Sequence, residues 1–201
     1  MHISEGVLSG PVLLGGAALA VAGTAIGLKK IDYDQVMTVA ILSAAFFVAS
    51  LVHVPVGPGN AHLILGGLLG VILGWAAFPS ILVALLLQAV LFQFGGITVL
   101  GLNTFTMAAP AVLCFYLFRP MLIKGNGTRF AAAFACGFFA MLISALLTAG
   151  ALALSGEAFE SAAQVLLIAH LPVMVVEGVI TGFAYTFLVK VKPEALAVSS
   201  S

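Results

Sequence analysis

The chain has 201 residues, of which 63% are hydrophobic and only 7% are charged, and its seven Lys and Arg balance seven Asp and Glu. Soluble domains carry about 25% charged residues, so this composition excludes a water-soluble domain, and the zero net charge gives no basic surface for nucleic acid. What remains is an integral membrane protein, and its long apolar runs, which lack the period-two alternation of barrel strands, indicate membrane-spanning helices.

The chain starts with Met-His, and a second residue as large as His2 favours retention of Met1. The leading stretch carries Glu5 and no basic residue, while two lysines follow the first apolar run; this order is the reverse of a secretory signal peptide. We therefore expect residues 1–10 to form an extracytoplasmic segment before a retained first span. The Met1 amine then lies one residue from an imidazole.

Apolar runs broken by charge, Gly and Pro predict seven spans. The third and fourth runs are separated only by a short stretch around Pro79, so a fused pair and six spans is the alternative. Lys and Arg prefer the cytoplasmic side, and only seven spans place all of them there. The prediction is one all-α membrane domain over 1–201, with the N-terminus outside, a seven-helix bundle over 11–190 and a cytoplasmic tail over 191–201. The predicted spans are 11–28, 35–54, 61–77, 79–93, 104–118, 130–154 and 164–189.

Small residues recur at helical spacing in the third and first spans, and in lipid such stripes favour close helix packing. In the third span, Gly66, Gly70 and Gly74 follow one another at intervals of four. The first span carries overlapping stripes, and one that faces outward would receive a helix of a partner subunit. The candidate partner contacts are Ala18, Ala22, Gly23 and Gly27.

Polar residues within the spans are few, and under this topology the four histidines lie at or near the outer face. Glu177 follows His170 by two helical turns, so both lie on one helix face. An acid within a span either makes a buried interhelical hydrogen bond or supports a functional site. The two cysteines, Cys114 and Cys136, lie in apolar runs without metal-binding spacing, which indicates buried packing residues.

The Met-His start can present three nitrogens together, namely the Met1 amine, the His2 amide and a His2 ring nitrogen. A tetragonal nitrogen site of this kind suits Ni(II) or Cu(II), with Co(II) close in affinity. The main candidate for the fourth position is His62, because the Pro- and Gly-rich stretch before it prevents helix and presents it at an outer helix start. His53, before that turn, is a second candidate.

The segments MHISEG, VPVGPGNAHLILGG, GLNTFTMAAP and HLPVMVVEG resemble the CbiM/NikM family, the substrate-capture membrane subunits of energy-coupling factor importers for cobalt and nickel. The resemblance implies seven spans and Ni(II) or Co(II) as transported substrate, bound through Met1, His2 and His62, with no organic cofactor. Ser4–Glu5 stands where many members have Pro–Asp, so the carboxylate is kept. Residues expected to support these ligands or to replace one are Glu5, His53, Asn60, Asn103, His170 and Glu177.

Such a subunit is not an enzyme, and the sequence has no GxxxxGK[ST] phosphate-binding motif. The resemblance implies a coupling transmembrane subunit, separate ATPase subunits and a small accessory membrane subunit, in the inner membrane of a bacterium. One alternative is a self-contained secondary carrier or channel for divalent transition metals, which needs carboxylates or imidazoles along its path. A second is an intramembrane enzyme or haem protein, whose facing ligands do not suit a histidine beside a turn.

Overall fold

The computed structural model describes residues 2–51, 53–56, 59–124, 127–193 and 196, and it describes only the backbone of His2, residues 53–56 and 59–61, and Lys124. These residues form seven α-helices and one small antiparallel sheet. The helices are α1 (Gly10–Lys29), α2 (Val36–Leu51), α3 (Gly66–Leu73), α4 (Ala77–Phe92), α5 (Leu100–Lys124), α6 (Arg129–Ala153) and α7 (Glu160–Val191). The strands are β1 (His2–Ile3), β2 (His53–Val56) and β3 (Gly59–His62).

The outer surface of the helix bundle is apolar, as contact with lipid requires. Leu14, Val21, Met37 and Leu154 are all more than two-thirds exposed. Six stretches of the described chain are long and apolar enough to cross a membrane, which confirms the prediction of a polytopic helical membrane protein. These stretches are Gly10–Lys29, Tyr33–Leu51, Gly66–Phe92, Leu100–Ile123, Arg129–Ala153 and Glu157–Val191.

The third of these stretches is broken inside. Gly74 has φ +53° and ψ −123°, a conformation that glycine adopts easily and that ends α3. A 3₁₀ turn, Gly74–Ala76, then leads into α4, whose Pro79 lies in the first helical turn, where no intrahelical N–H is needed. Gly74 therefore does not continue the small-residue stripe of the third span.

The chain reverses direction at this break. Gly70 lies against Ala111, and the Trp75 indole donates to the Tyr116 hydroxyl at 3.0 Å, so α3 runs alongside α5 in the same direction. After the break, the 16 residues of α4 span about 24 Å. A short loop then connects the end of α4 to the beginning of α5 at Leu100. Leu100 and Tyr116 are also separated by about 24 Å along α5. Helix α4 therefore runs back along the path that α3 and the break covered.

The junction between the second and third predicted spans differs from the prediction. Helix α2 ends at Leu51 rather than at residue 54, and α3 begins at Gly66 rather than at residue 61. Strands β2 and β3 occupy the positions between them. The cause is backbone pairing of β2 with β3 and of β3 with β1, and the second of these is a contact with the start of the chain that no local pattern reveals.

Small residues bring the helices close together, as the sequence predicts. A Cβ atom on Gly67 would overlap Gly137 of α6, and one on Gly70 would overlap the backbone of Ala111 in α5. Cys136, beside this contact, and Cys114 are both buried, and neither forms a disulfide within the described part of the chain, as expected of packing residues. Helix α3 is therefore wedged between α5 and α6, and this fixes the chain that leads into it.

Candidate metal centre

A three-stranded sheet brings the start of the chain to the loop between α2 and α3. Its order is β1-β3-β2, and both pairings are antiparallel. In the register, His2 stands opposite Asn60, and His53 stands opposite His62. Residues two apart along β3 are diagonal neighbours of a β1 residue, so the Cα atoms of His2 and His62 lie about 7–8 Å apart.

The second edge of β1 is held by the side chain of Asn103, from the first turn of α5. The Ile3 N–H donates to Asn103 Oδ1 at 3.1 Å, and Asn103 Nδ2 donates to the Ile3 carbonyl at 3.2 Å. Asn103 therefore pairs with Ile3 as a neighbouring strand would. Both residues are buried, and β1 is fixed on both edges one residue after His2.

Glu5 ties the chain after β1 to the loop between α4 and α5. Its backbone N–H donates to the Gly95 carbonyl at 3.2 Å, and Oε1 accepts from the Thr98 N–H at 3.0 Å and hydroxyl at 3.1 Å. These hydrogen bonds lower the pKa of Glu5 below its ordinary value of 4.5. Gly96 has φ +132°, and a Cβ there would overlap the Glu5 carboxyl, so only glycine fits beneath it.

The His62 imidazole is buried at the end of β3, with 3% of its surface exposed. Its Nδ1 lies 2.8 Å from the Leu63 carbonyl oxygen, which only accepts, so Nδ1 carries the proton. In this tautomer the lone pair is on Nε2, which is the form of histidine that binds a metal. The contact also orients the ring.

Glu177 of α7 holds the chain that follows His62. Its Oε1 accepts hydrogen bonds from the backbone N–H groups of Ile64 and, at 2.8 Å, of Leu65. Leu65 has φ +53°, a left-handed conformation that is costly for a leucine and that this carboxyl helps to hold. Glu177 is fully buried, and its Oε2 has no hydrogen-bond partner among the described residues.

His170 is also fully buried, two turns before Glu177 on α7. Its Nδ1 lies 2.6 Å from the Leu166 carbonyl of the same helix, and its Nε2 has no hydrogen-bond partner within the described part of the chain. Among the described residues, no three His, Cys, Asp or Glu side chains form a group able to hold a metal. The structure therefore does not gather His170, Glu177 and His62 into one set of ligands.

The remaining predicted ligands and supporting residues lie outside the described residues in whole or in part. Met1 is not described, and for His2, His53 and Asn60 the structure gives the backbone alone. The sheet register places the backbones of His2 and Asn60 together and those of His53 and His62 together. Their role as ligands remains a prediction.

The four residues predicted to contact a partner helix divide between two faces of α1. Ala18 and Ala22 are exposed, whereas Gly23 and Gly27 are buried. A Cβ on Gly23 would overlap Phe78, and one on Gly27 would overlap the Trp75 carbonyl. The prediction is corrected for the two glycines, which pack inside this chain because they share a helix face.

The sequence does not predict the residues of the α4–α5 and α6–α7 loops that hold the N-terminal segment. Thr98 and the two glycines before it cradle Glu5, and the Ser155 hydroxyl accepts from the Ser9 N–H at 3.2 Å. The Gly-Gly pair signals a turn in the sequence. Nothing local links that turn to Glu5, which lies about 90 residues earlier.

Similarity to known proteins covers nearly the whole chain. The family model described as CbiM, cobalt uptake substrate-specific transmembrane region, matches residues 2–195. A protein of Haemophilus influenzae named for metal transport is 43% identical over 199 residues, which are 98% of this chain and 97% of the relative. A fused nickel transport protein of Rhodobacter capsulatus, NikMN, is 39% identical over 114 residues, which are 54% of this chain and 33% of the relative.

A solved structure shares the fold. The crystal structure of a transition metal transporter superposes on this chain with a TM-score of 0.85 and 34% sequence identity. The superposition covers 95% of this chain and 93% of the solved one.

Proposed function

The chain belongs to the CbiM family of cobalt-uptake transmembrane proteins, and from this premise we propose that it captures Ni(II) or Co(II) for an ATP-driven energy-coupling factor importer. The observation that carries the proposal is the N-terminal strand, which is paired with the strand that ends in His62 and clamped on its other edge by Asn103. A strand held on both edges preorganises the ligands next to it, because the binding of metal need not order that strand.

The proposed ligands are the Met1 amine, the amide nitrogen and one ring nitrogen of His2, and Nε2 of His62. The diagonal placement of His2 and His62 supports this set, because one metal ion with bonds of about 2 Å can bridge side chains whose Cα atoms are about 7–8 Å apart. Three nitrogens from one chain end close two fused chelate rings. Such a planar arrangement suits Ni(II), and Co(II) is next to it in the order of affinities.

Glu5, Asn103 and Glu177 have positioning roles in this proposal. Asn103 fixes Ile3 itself, Glu5 fixes the chain two residues later, and Glu177 fixes the chain just after His62. The polar atoms of Asn103 and Glu177 bond to backbone groups next to the predicted ligands, and the Glu5 carboxyl bonds to Thr98. None of the three is needed as a ligand.

We further propose that the protein crosses the inner membrane of a bacterium seven times, with its N-terminus and the metal site outside. The reversal at Gly74 supports the count, because it divides the stretch Gly66–Phe92 into two passages. Charge supports the orientation. Lys29 and Lys30 end α1, Arg119 lies near the end of α5, and Lys190 ends α7, so all lie at the end opposite the sheet.

ATP hydrolysis is assigned to separate subunits that act through a coupling transmembrane subunit, with a small accessory membrane subunit as a further partner. The NikMN relative, named as a fused nickel transport protein, supports joint action of such components. The exposed small residues Ala18 and Ala22 are the proposed contact with a partner helix, because a partner backbone can approach closely there.

Metal analysis of the purified protein tests the capture site. Protein with an unmodified N-terminus, loaded with Ni(II) and washed, should retain about one metal ion per chain, and His62→Ala should retain almost none. His53→Ala is the matched control, since it removes the imidazole of the residue whose backbone pairs with that of His62. Retention by His62→Ala with loss in His53→Ala would move the fourth ligand to His53.

Transport assays separate this proposal from a self-contained carrier. The described core holds Glu177 and His170 but no group of ionisable side chains that could bind metal along a path. In vesicles that contain this chain alone, a proton gradient should drive little Ni(II) uptake. Uptake at the rate reached with ATP and the partner subunits would establish the carrier instead.

A further inference from the structure

A basic cavity lies at the end of the bundle opposite the proposed metal site. Helices α6 and α7 are antiparallel there, because Phe130 packs on Gly182 near the beginning of α6 and the end of α7. The cavity has a volume of about 240 Å³. It is lined by Gly127, Arg129, Phe130, Thr186, Val189 and Lys190.

The charged side chains that line this cavity are both positive, and both can donate hydrogen bonds. Arg129 and Lys190 supply two cations, and neither forms an ion pair within the described part of the chain. Nε of Arg129 is buried and has no hydrogen-bond partner among the described residues, although a buried guanidinium N–H ordinarily has one.

Backbone donors add to these cations. Helix α6 begins at Arg129, and the Thr128 side chain makes no capping hydrogen bond there. The first N–H groups of the helix therefore point out of its end without an acceptor from the Thr128 side chain. A helix N-terminus beside two cations favours an anion with several oxygen acceptors, of which a phosphate group is the most suitable.

Apolar side chains continue the cavity toward the lipid. Phe130 lines it and packs edge-to-face on Phe183, with ring centroids 5.1 Å apart. Phe183 and Phe187, one turn apart on α7, are 64% and 61% exposed. A ligand whose phosphate enters the cavity would therefore lay an apolar tail along these rings.

We propose that this cavity binds the phosphodiester headgroup of an anionic phospholipid such as phosphatidylglycerol, with the acyl chains along Phe183 and Phe187. Arg129, Lys190 and the first turn of α6 hold the phosphate. A free phosphate ion would use the same donors but would gain nothing from the aromatic rings. The site is separate from metal capture and does not depend on it.

Lipid retention on the intact protein, measured by native mass spectrometry, tests the proposal. Wild-type protein mixed with equal amounts of phosphatidylglycerol and phosphatidylcholine should retain the anionic lipid. Arg129→Gln with Lys190→Gln should weaken retention about thirtyfold, since each cation near an anionic headgroup contributes about a factor of five. The matched control is Lys29→Gln with Lys30→Gln, which removes the same charge from the end of α1.

Equal retention by the wild type and the Arg129/Lys190 variant, or an equal loss in the Lys29/Lys30 variant, would overturn the site. Circular dichroism checks that the variants are folded, and Lys190→Glu is the second variant if the double substitution fails that check; it should lose the lipid as well. Inorganic phosphate at millimolar concentration should not displace the lipid. Full displacement would make the site one for free phosphate and overturn the assignment to lipid.

Discussion

At the scale of single residues, the proposed metal site depends on side chains that hold the backbone rather than the metal. Asn103→Ala leaves the N–H and carbonyl of Ile3 without their partner, so β1 loses one of its two edges. We expect Ni(II) affinity to fall about 10- to 100-fold without being abolished, as for groups that orient metal ligands. Isothermal titration calorimetry measures this directly.

The matched control for this change is Thr104→Ala. Thr104 is buried in the same helical turn, and its hydroxyl donates to the Leu100 carbonyl of its own helix, away from β1. Its removal should leave Ni(II) affinity unchanged. Equal losses in both variants would mean that Asn103 acts only through the stability of α5.

Glu5 gives a prediction about pH. Because the Thr98 hydrogen bonds lower the pKa of Glu5 below 4.5, its contribution is complete above that pH and is lost only as the pH falls through the lowered value. In water, a free imidazole takes up a proton at about pH 6.5, and a free α-amino group does so at about pH 8. A decline in metal affinity from about pH 8 to 5.5 should therefore arise from the ligand nitrogens.

Glu5→Gln separates these two contributions. We expect it to lower Ni(II) affinity about tenfold at every pH in this range and to leave the midpoint of the decline in place. Calorimetric titrations at several pH values would show this. A midpoint moved by about one pH unit or more would assign the pH dependence to Glu5 instead.

At the scale of elements, the segment between β3 and α3 is held by α7 through one carboxyl. Glu177→Gln keeps an oxygen that accepts from Ile64 and Leu65, whereas Glu177→Ala leaves two buried N–H groups unpaired, at about 1–3 kcal/mol each. We expect Ni(II) affinity to fall less than about tenfold in the glutamine variant and about 100-fold in the alanine variant. Equal affinities in the two variants would remove this positioning role.

The sheet is the element that sequence patterns could not reveal. The proline- and glycine-rich stretch before His62 predicts a turn, and β2 and β3 on either side of it pair in antiparallel orientation, as such a turn requires. The pairing of β1 with β3 depends on residues nearly 60 positions apart. Each strand is too short to show a period of two, so the apolar pattern extends the predicted spans over residues 53–54 and 61–62 and assigns the positions between them to a turn.

Helix α1 shows a different limit of prediction from the sequence. Small residues lie on two faces of it, and a repeat of small residues alone does not say which face is inside. Only the neighbours decide: Phe78 fills the space above Gly23, while Ala22 faces outward. The presence of a packing helix could therefore be predicted, but its rotation about its own axis could not.

At the scale of the whole molecule, the proposed topology predicts the side of the membrane on which each end of α7 lies, and the distribution of Lys and Arg supports this orientation. A reporter fused after Lys192 should be cytoplasmic, and one inserted in the loop between α6 and α7 should be outside, because α7 crosses the membrane between them. Cysteine accessibility to a membrane-impermeant reagent gives the same information. Both reporters on one side would contradict the seven-span arrangement.

The family and the polytopic helical class could be predicted from composition and a few segments, because both depend on local patterns. The site could be predicted only as a set of residues. The sequence points to His2 and His62, but their nearness follows from a backbone register and from Asn103, which lies 100 residues from its partner Ile3. Such contacts are tertiary and leave no periodic signal.

The most direct test of the central claim adds one residue before Met1. The extension turns the Met1 amine into an amide and breaks the proposed chelate, yet every side chain of the protein stays in place. Ni(II) binding by correctly inserted, extended protein should be lost, while a tag after Ser201 should leave binding at the wild-type level, as measured by calorimetry and by the absorption spectrum of the bound metal. Native affinity with an unchanged nitrogen-ligand spectrum in the extended protein would contradict the claim that the chain end itself holds the metal.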